Sequence, residues 1–139
     1  MNIKRFILSF IAVFIFIFFF DHLLHGVLLD KIYKETASLW RPEKEICQLF
    51  HWLVVGQLTL ALLLCIIFIK GYQNRGILEG VRFGILMGLL FVGPSLIHYA
   101  VSPLPMKLVF AWNIGHIVEF VGAGVILTLI YRPLSASEK

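Results

Sequence analysis

The chain has 139 residues, of which 60% are hydrophobic and only 14% charged, and its mean hydropathy is +0.92. No soluble core of this length encloses that much apolar surface, which excludes a soluble globular domain and requires a bilayer. The formal net charge of +4 does not point to nucleic acid, because the basic residues are spread over helix ends and not gathered on one face.

Four stretches reach the roughly 20 apolar residues that cross about 30 Å of hydrocarbon. The expected fold is therefore an all-α, antiparallel four-helix transmembrane bundle with short loops. It forms one domain, with spans at about 6–29, 43–69, 77–100 and 106–131. The first span opens with Lys4 and Arg5 ahead of a Phe/Ile-rich run, like a secretory signal. Asp21, His22 and two leucines then stand where small residues would mark cleavage, so the helix is read as retained. A polar segment, 30–41, follows, and its charges read as a solvated face. Pro42 with Glu43 behind it suits a helix N-terminus, and Lys70 with Gly71, free to adopt positive φ, suits its end. A tight connection, 71–76, leads into the third span. Pro103 and Pro105 separate the third span from the fourth, and Arg132 with Pro133 stops the fourth before a short tail.

Four crossings leave both termini on one side with the 70–82 connection. That side holds Lys4, Arg5, Lys70, Arg75, Arg82, Arg132 and Lys139 against Glu79 and Glu138. The other side has Lys31, Lys34, Arg41, Lys44 and Lys107, nearly balanced by Asp30, Glu35, Glu43 and Glu45. The excess of Lys and Arg predicts an inner-membrane protein with both termini cytoplasmic, and Trp40, Trp52 and Trp112 towards the outer interface.

All five histidines fall in the outer half of this arrangement, and every span supplies at least one. At 1.5 Å per residue, His25, His51 and His98 lie about 4 to 7 Å deep, and Asp21, His22 and His116 about 10 to 14 Å deep. Asp21 and His25 are one helical turn apart, while Asn113, His116 and Glu119 recur every third residue as a polar stripe. An isolated Asp costs at least about 2.5 kcal/mol inside a span, so such groups turn inward and find partners. A carboxylate on one imidazole nitrogen leaves the other free for a metal, haem iron or a proton. The candidate haem or transition-metal ligands are His22, His25, His51, His98 and His116, backed by Asp21, Asn113 and Glu119. Taken singly, histidines near a headgroup layer are also ordinary boundary residues. Cys47 and His51, one turn apart, are compatible with metal ligation, but the simpler reading of the pair is packing. Cys47 and Cys65 lie about 27 Å apart along one helix and cannot bridge each other.

Gly80, Gly84 and Gly88 form a stripe that admits another backbone closely. Its expected partner is either the fourth span, where Ala111, Gly115, Gly122 and Gly124 also lack bulk, or a second chain. Pro94 removes one backbone donor a turn before His98 and is expected to bend the third span.

No phosphate-binding, serine-hydrolase or zinc-protease motif occurs, and the order His116-x-x-Glu119 reverses that of di-iron bundles. The leading expectation is a protein that binds haem or a transition metal for electron transfer or metal handling, and an enzyme is less expected than a binding protein. The alternatives are an accessory subunit or homo-oligomer docking through the glycine stripe, and a proton or small-solute conductor. The pattern Asp21-His22-x-x-His25-Gly26, Leu39-Trp40-Arg41-Pro42, the glycine-spaced third span, Pro103-x-Pro105 and Trp112 resembles small four-helix bacterial integral membrane proteins of uncharacterised function. That resemblance implies the fold and the bilayer as partner, and no activity.

Overall fold

A computed structural model describes residues 2–131, all helix and connecting segments. The first helix, α1 (Ile3–Leu23), starts where the Asn2 side chain accepts from the Arg5 backbone N–H. It runs into a π turn over Leu24–Leu28, closed by the Leu29 N–H donating to the Leu24 carbonyl at 2.9 Å. Next come α2 (Asp30–Glu35), a single 3₁₀ turn (Ala37–Leu39) and α3 (Glu43–Gln48). The chain then forms α4 (Phe50–Gly71), α5 (Ile77–Val101) and α6 (Met106–Ile130). Four stretches are long and apolar enough to cross a membrane: Ile3–Leu28, Phe50–Gly71, Ile77–Val101 and Met106–Ile130. The all-helical bundle drawn from hydropathy is therefore present.

Three local expectations need correction. The second span is not one helix from 43 to 69, because Leu49 leaves helical geometry and separates α3 from α4. The Leu49 N–H is shared between the carbonyls of Glu45 and Ile46, and the Trp52 N–H reaches back three residues to Leu49, a tightening that creates an elbow. Positive φ falls on Asn74 and Gly76 and not on Gly71. At Gly76 the backbone turns into α5, while the Glu79 carboxylate accepts from the N–H groups of Gln73 and Arg75, so the turn satisfies its own donors. The 30–41 segment is also more than a solvated loop. Lys107 of α6 pairs with Glu35, and Tyr33 and Trp40 pack onto the end of the bundle. The stop at Arg132 and Pro133 and the tail beyond lie outside the described residues.

The glycine stripe finds its partner inside the chain. A Cβ on Gly80 would strike the backbone of Gly124, one on Gly84 the backbone of Phe120 and Val121, and one on Gly88 would lie 2.6 Å from the Cα of Ile117. Numbers rise along α5 as they fall along α6, so this pair runs in opposite directions with its backbones in contact. Within the chain the stripe is therefore occupied by α6. Gly115 and Gly122 of α6 serve other neighbours, since they receive the side chains of Leu24 from the π turn and Phe16 from α1. Pro94 lies inside a continuous α5.

Two apolar cores result. The larger joins Val13 and Ile17 of α1, Leu64, Cys65 and Phe68 of α4, and Phe120, Ala123 and Leu127 of α6, with rings of α5 against it. The smaller caps the end that carries α2, through Leu24, Leu29, Leu104, Leu108 and Val109.

Candidate functional site

The carboxyl groups and imidazoles of the first and last spans gather between or beside these cores, whereas the buried hydroxyls Ser9 and Thr128 lie at the other end of the large core. Asp21 of α1 and His25 of the π turn follow the large core; on α6, Asn113, His116 and Glu119 precede it. Gln57 of α4 donates to Asp21 Oδ2 at 2.7 Å. His25 Nε2 stands 3.8 Å from Asp21 Oδ1, an electrostatic contact too long for a hydrogen bond. His25 Nδ1 is 2.6 Å from the Tyr33 hydroxyl, which also accepts from Trp112 Nε1 at 2.8 Å. Tyr33 in turn lies edge-on to Trp40, and Trp40 to Trp112. Trp40 Nε1 donates to Thr36. These contacts make the 30–40 segment a roof over the polar layer.

His116 forms the other half. Its Nδ1 is 3.4 Å from Glu119 Oε2, and its ring stacks on Phe120 with Phe91 of α5 on a further side. Glu119 is only 1% exposed, and its Oε1 has no hydrogen-bond partner among the described residues. Asp21 and His116 both lie within Coulombic range of Glu119, and His116 within that of His25. Outside the spans, burial raises the Tyr33 phenol above its usual 10.0; the Trp112 hydrogen bond opposes this shift and the Asp21 charge adds to it. The phenol therefore keeps its hydrogen at neutral pH.

The five histidines do not converge as a set. His25 and His116 enter the layer, whereas His22, His51 and His98 are exposed. His22 folds back towards Gly26, His51 lies beside Trp52, and His98 stacks on Trp112 with ring centres 6.2 Å apart. Among the described residues no group of three or more His, Cys, Asp or Glu could hold a metal ion. The Leu49 elbow falls between Cys47 and His51, and both are exposed. Asn113 is buried, with its Oδ1 unpartnered among the described residues.

Three contributors were not singled out as site residues from the sequence: Gln57, Tyr33 and Trp112. Gln57 carried a signal, as an amide deep within an otherwise apolar span. Tyr33 carried none, because its role depends on α2 folding back over α1. Comparison with protein-family models, curated proteins and solved structures finds no match, so the functional argument rests on this intramembrane layer of two imidazoles and two carboxyl groups.

Proposed function

We propose that the chain is an integral membrane protein whose Asp21, His25, His116 and Glu119 layer takes up and releases a proton from the end that carries α2. The observation that carries this reading is Glu119: a carboxyl inside a span, almost wholly enclosed, with one oxygen 3.4 Å from His116 Nδ1 and the other without a partner among the described residues. Ionisable groups at such depth are expensive to keep and mark proton or ion sites by default. A carboxyl and an imidazole in contact can share one proton between them. On the far side, Val13, Ile17, Leu64, Phe68, Phe120 and Leu127 pack together as an apolar core, and the buried polar side chains there among the described residues, Ser9 and Thr128, are hydroxyls and not ionisable groups. That apolar packing favours a proton site open at the α2 end over a path through the whole bundle. The excess of Lys and Arg at the opposite end supports both termini on the cytoplasmic side and the site facing outward, which goes with an inner-membrane placement.

The test is infrared difference spectroscopy across a pH titration of the purified protein in lipid. A carboxylic C=O band that appears and disappears with pH, and is lost in Glu119→Gln, is the expected result. A wild-type spectrum with no titrating band assignable to Glu119 would refute the proton site. The haem or transition-metal reading now rests on His25 and His116 alone, each with a carboxyl group behind it. An absorption spectrum and metal analysis of the same preparation decide it: without a Soret band and without stoichiometric metal it is removed.

A further inference from the structure

We propose that Tyr33 is a positioning residue of this site: its phenol, held by Trp112, donates to His25 Nδ1 and so fixes His25 as the tautomer with hydrogen on Nε2, facing Asp21. Indole nitrogen only donates, so the Trp112 contact at 2.8 Å uses a lone pair of the Tyr33 oxygen and leaves the phenol hydrogen free. At 2.6 Å, His25 Nδ1 is the acceptor within reach. With Nδ1 accepting, the imidazole hydrogen sits on Nε2, 3.8 Å from Asp21 Oδ1, where it faces negative charge. The opposite tautomer would turn a nitrogen lone pair towards that carboxylate and leave the phenol hydrogen without its acceptor.

The consequence is a directional chain from Trp112 through Tyr33 and His25 towards Asp21, which Gln57 steadies from α4. When His25 takes a second proton both its nitrogens donate. The Tyr33 oxygen must then accept from two rings, and its own hydrogen turns away. The charge state of His25 is thereby transmitted to α2. The π turn matters here, because His25 lies within it, between Asp21 on the α-helix and Tyr33 on the roof.

This role deepens the proton-site reading and rests on it only for its consequence. The experiment is nitrogen-15 NMR of histidine-labelled full-length protein in lipid, at alkaline pH where the imidazoles are neutral, with His25→Gln assigning the resonances. Wild type should show His25 as a single Nε2–H tautomer. Tyr33→Phe, which keeps the ring against Trp40, should convert it to a mixture, and Trp112→Phe should loosen it partially. An Nδ1–H tautomer in wild type, or identical His25 resonances in wild type and Tyr33→Phe, overturns the proposal. If the tautomer responds while no Glu119 band titrates, the proton site falls and the positioning role stands; if the band titrates with His25 unmoved, only the role of Tyr33 falls.

Discussion

Replacing Gly84 by alanine tests the α5–α6 contact most directly. The added Cβ would meet the carbonyl group of Phe120 and the Cα of Val121, which are backbone atoms unable to rotate aside. Even at Gly88, where the approach is less severe, the new carbon would lie 2.6 Å from the Ile117 Cα, against an ordinary carbon contact of about 3.5 to 4.0 Å. The helices must therefore part by about 1 Å there and further at Gly84, and α5 has no comparable second neighbour to compensate. Overpacking costs about 1 to 3 kcal/mol, and the upper end applies where backbone opposes backbone. The greater helix propensity of alanine returns up to about 1 kcal/mol. The net expectation is about 2 kcal/mol of destabilisation, a roughly 30-fold fall in the folded-to-unfolded ratio. Gly56→Ala is the matched control, since nothing lies within 4 Å of its Cβ position in the middle of α4; it should be neutral or slightly stabilising. The assay is reversible unfolding in mixed micelles titrated with a denaturing detergent, followed by far-ultraviolet circular dichroism. If the two variants agree within about 0.5 kcal/mol, the size expected of an uninvolved surface site, the close backbone contact is wrong.

Two further outcomes follow from the other end of the bundle. The Lys107 hydrogen bond and charge hold the Glu35 carboxyl below its usual 4.5. A lowered folded value means the pair's full contribution is present above pH 4.5 and is lost as pH falls through the lowered value; fluorescence of Trp40 and Trp112 should report α2 loosening in acid, with the transition missing in Lys107→Gln. Cys47 is exposed and Cys65 buried, so maleimide should label Cys47 alone in the native protein and both after denaturation. With a membrane-impermeant reagent on intact cells, labelling of Cys47 from outside is expected; protection there, with labelling in inverted vesicles, would reverse the orientation.

The sequence revealed the spans because hydropathy is a sum over many side chains, and a few misjudged residues do not change it. The Leu49 elbow and the π turn at Leu24–Leu28 were not legible, since each depends on one or two hydrogen bonds whose alternatives differ little in energy. The glycine stripe was readable as a close-approach surface, yet its partner was not: Gly80 pairs with α6 only because the 101–105 connection folds the chain back. For the site, Asp21 with His25 and His116 with Glu119 were visible as local spacings. Depth alone did not separate them from His22, His51 and His98. Helical phase decides which imidazoles turn inward, and the π turn shifts that phase at His25.

The division of surface along α6 carries its own consequence. Its glycines receive α5 on one side and α1 on another, and its interior carboxyl and imidazole occupy the space between. A saturation-mutagenesis profile should therefore be lopsided: α5 intolerant at a four-residue beat and permissive elsewhere, α6 intolerant around most of its circumference. Drift in this protein would then be slowest in its last helix, whatever task the first helix performs.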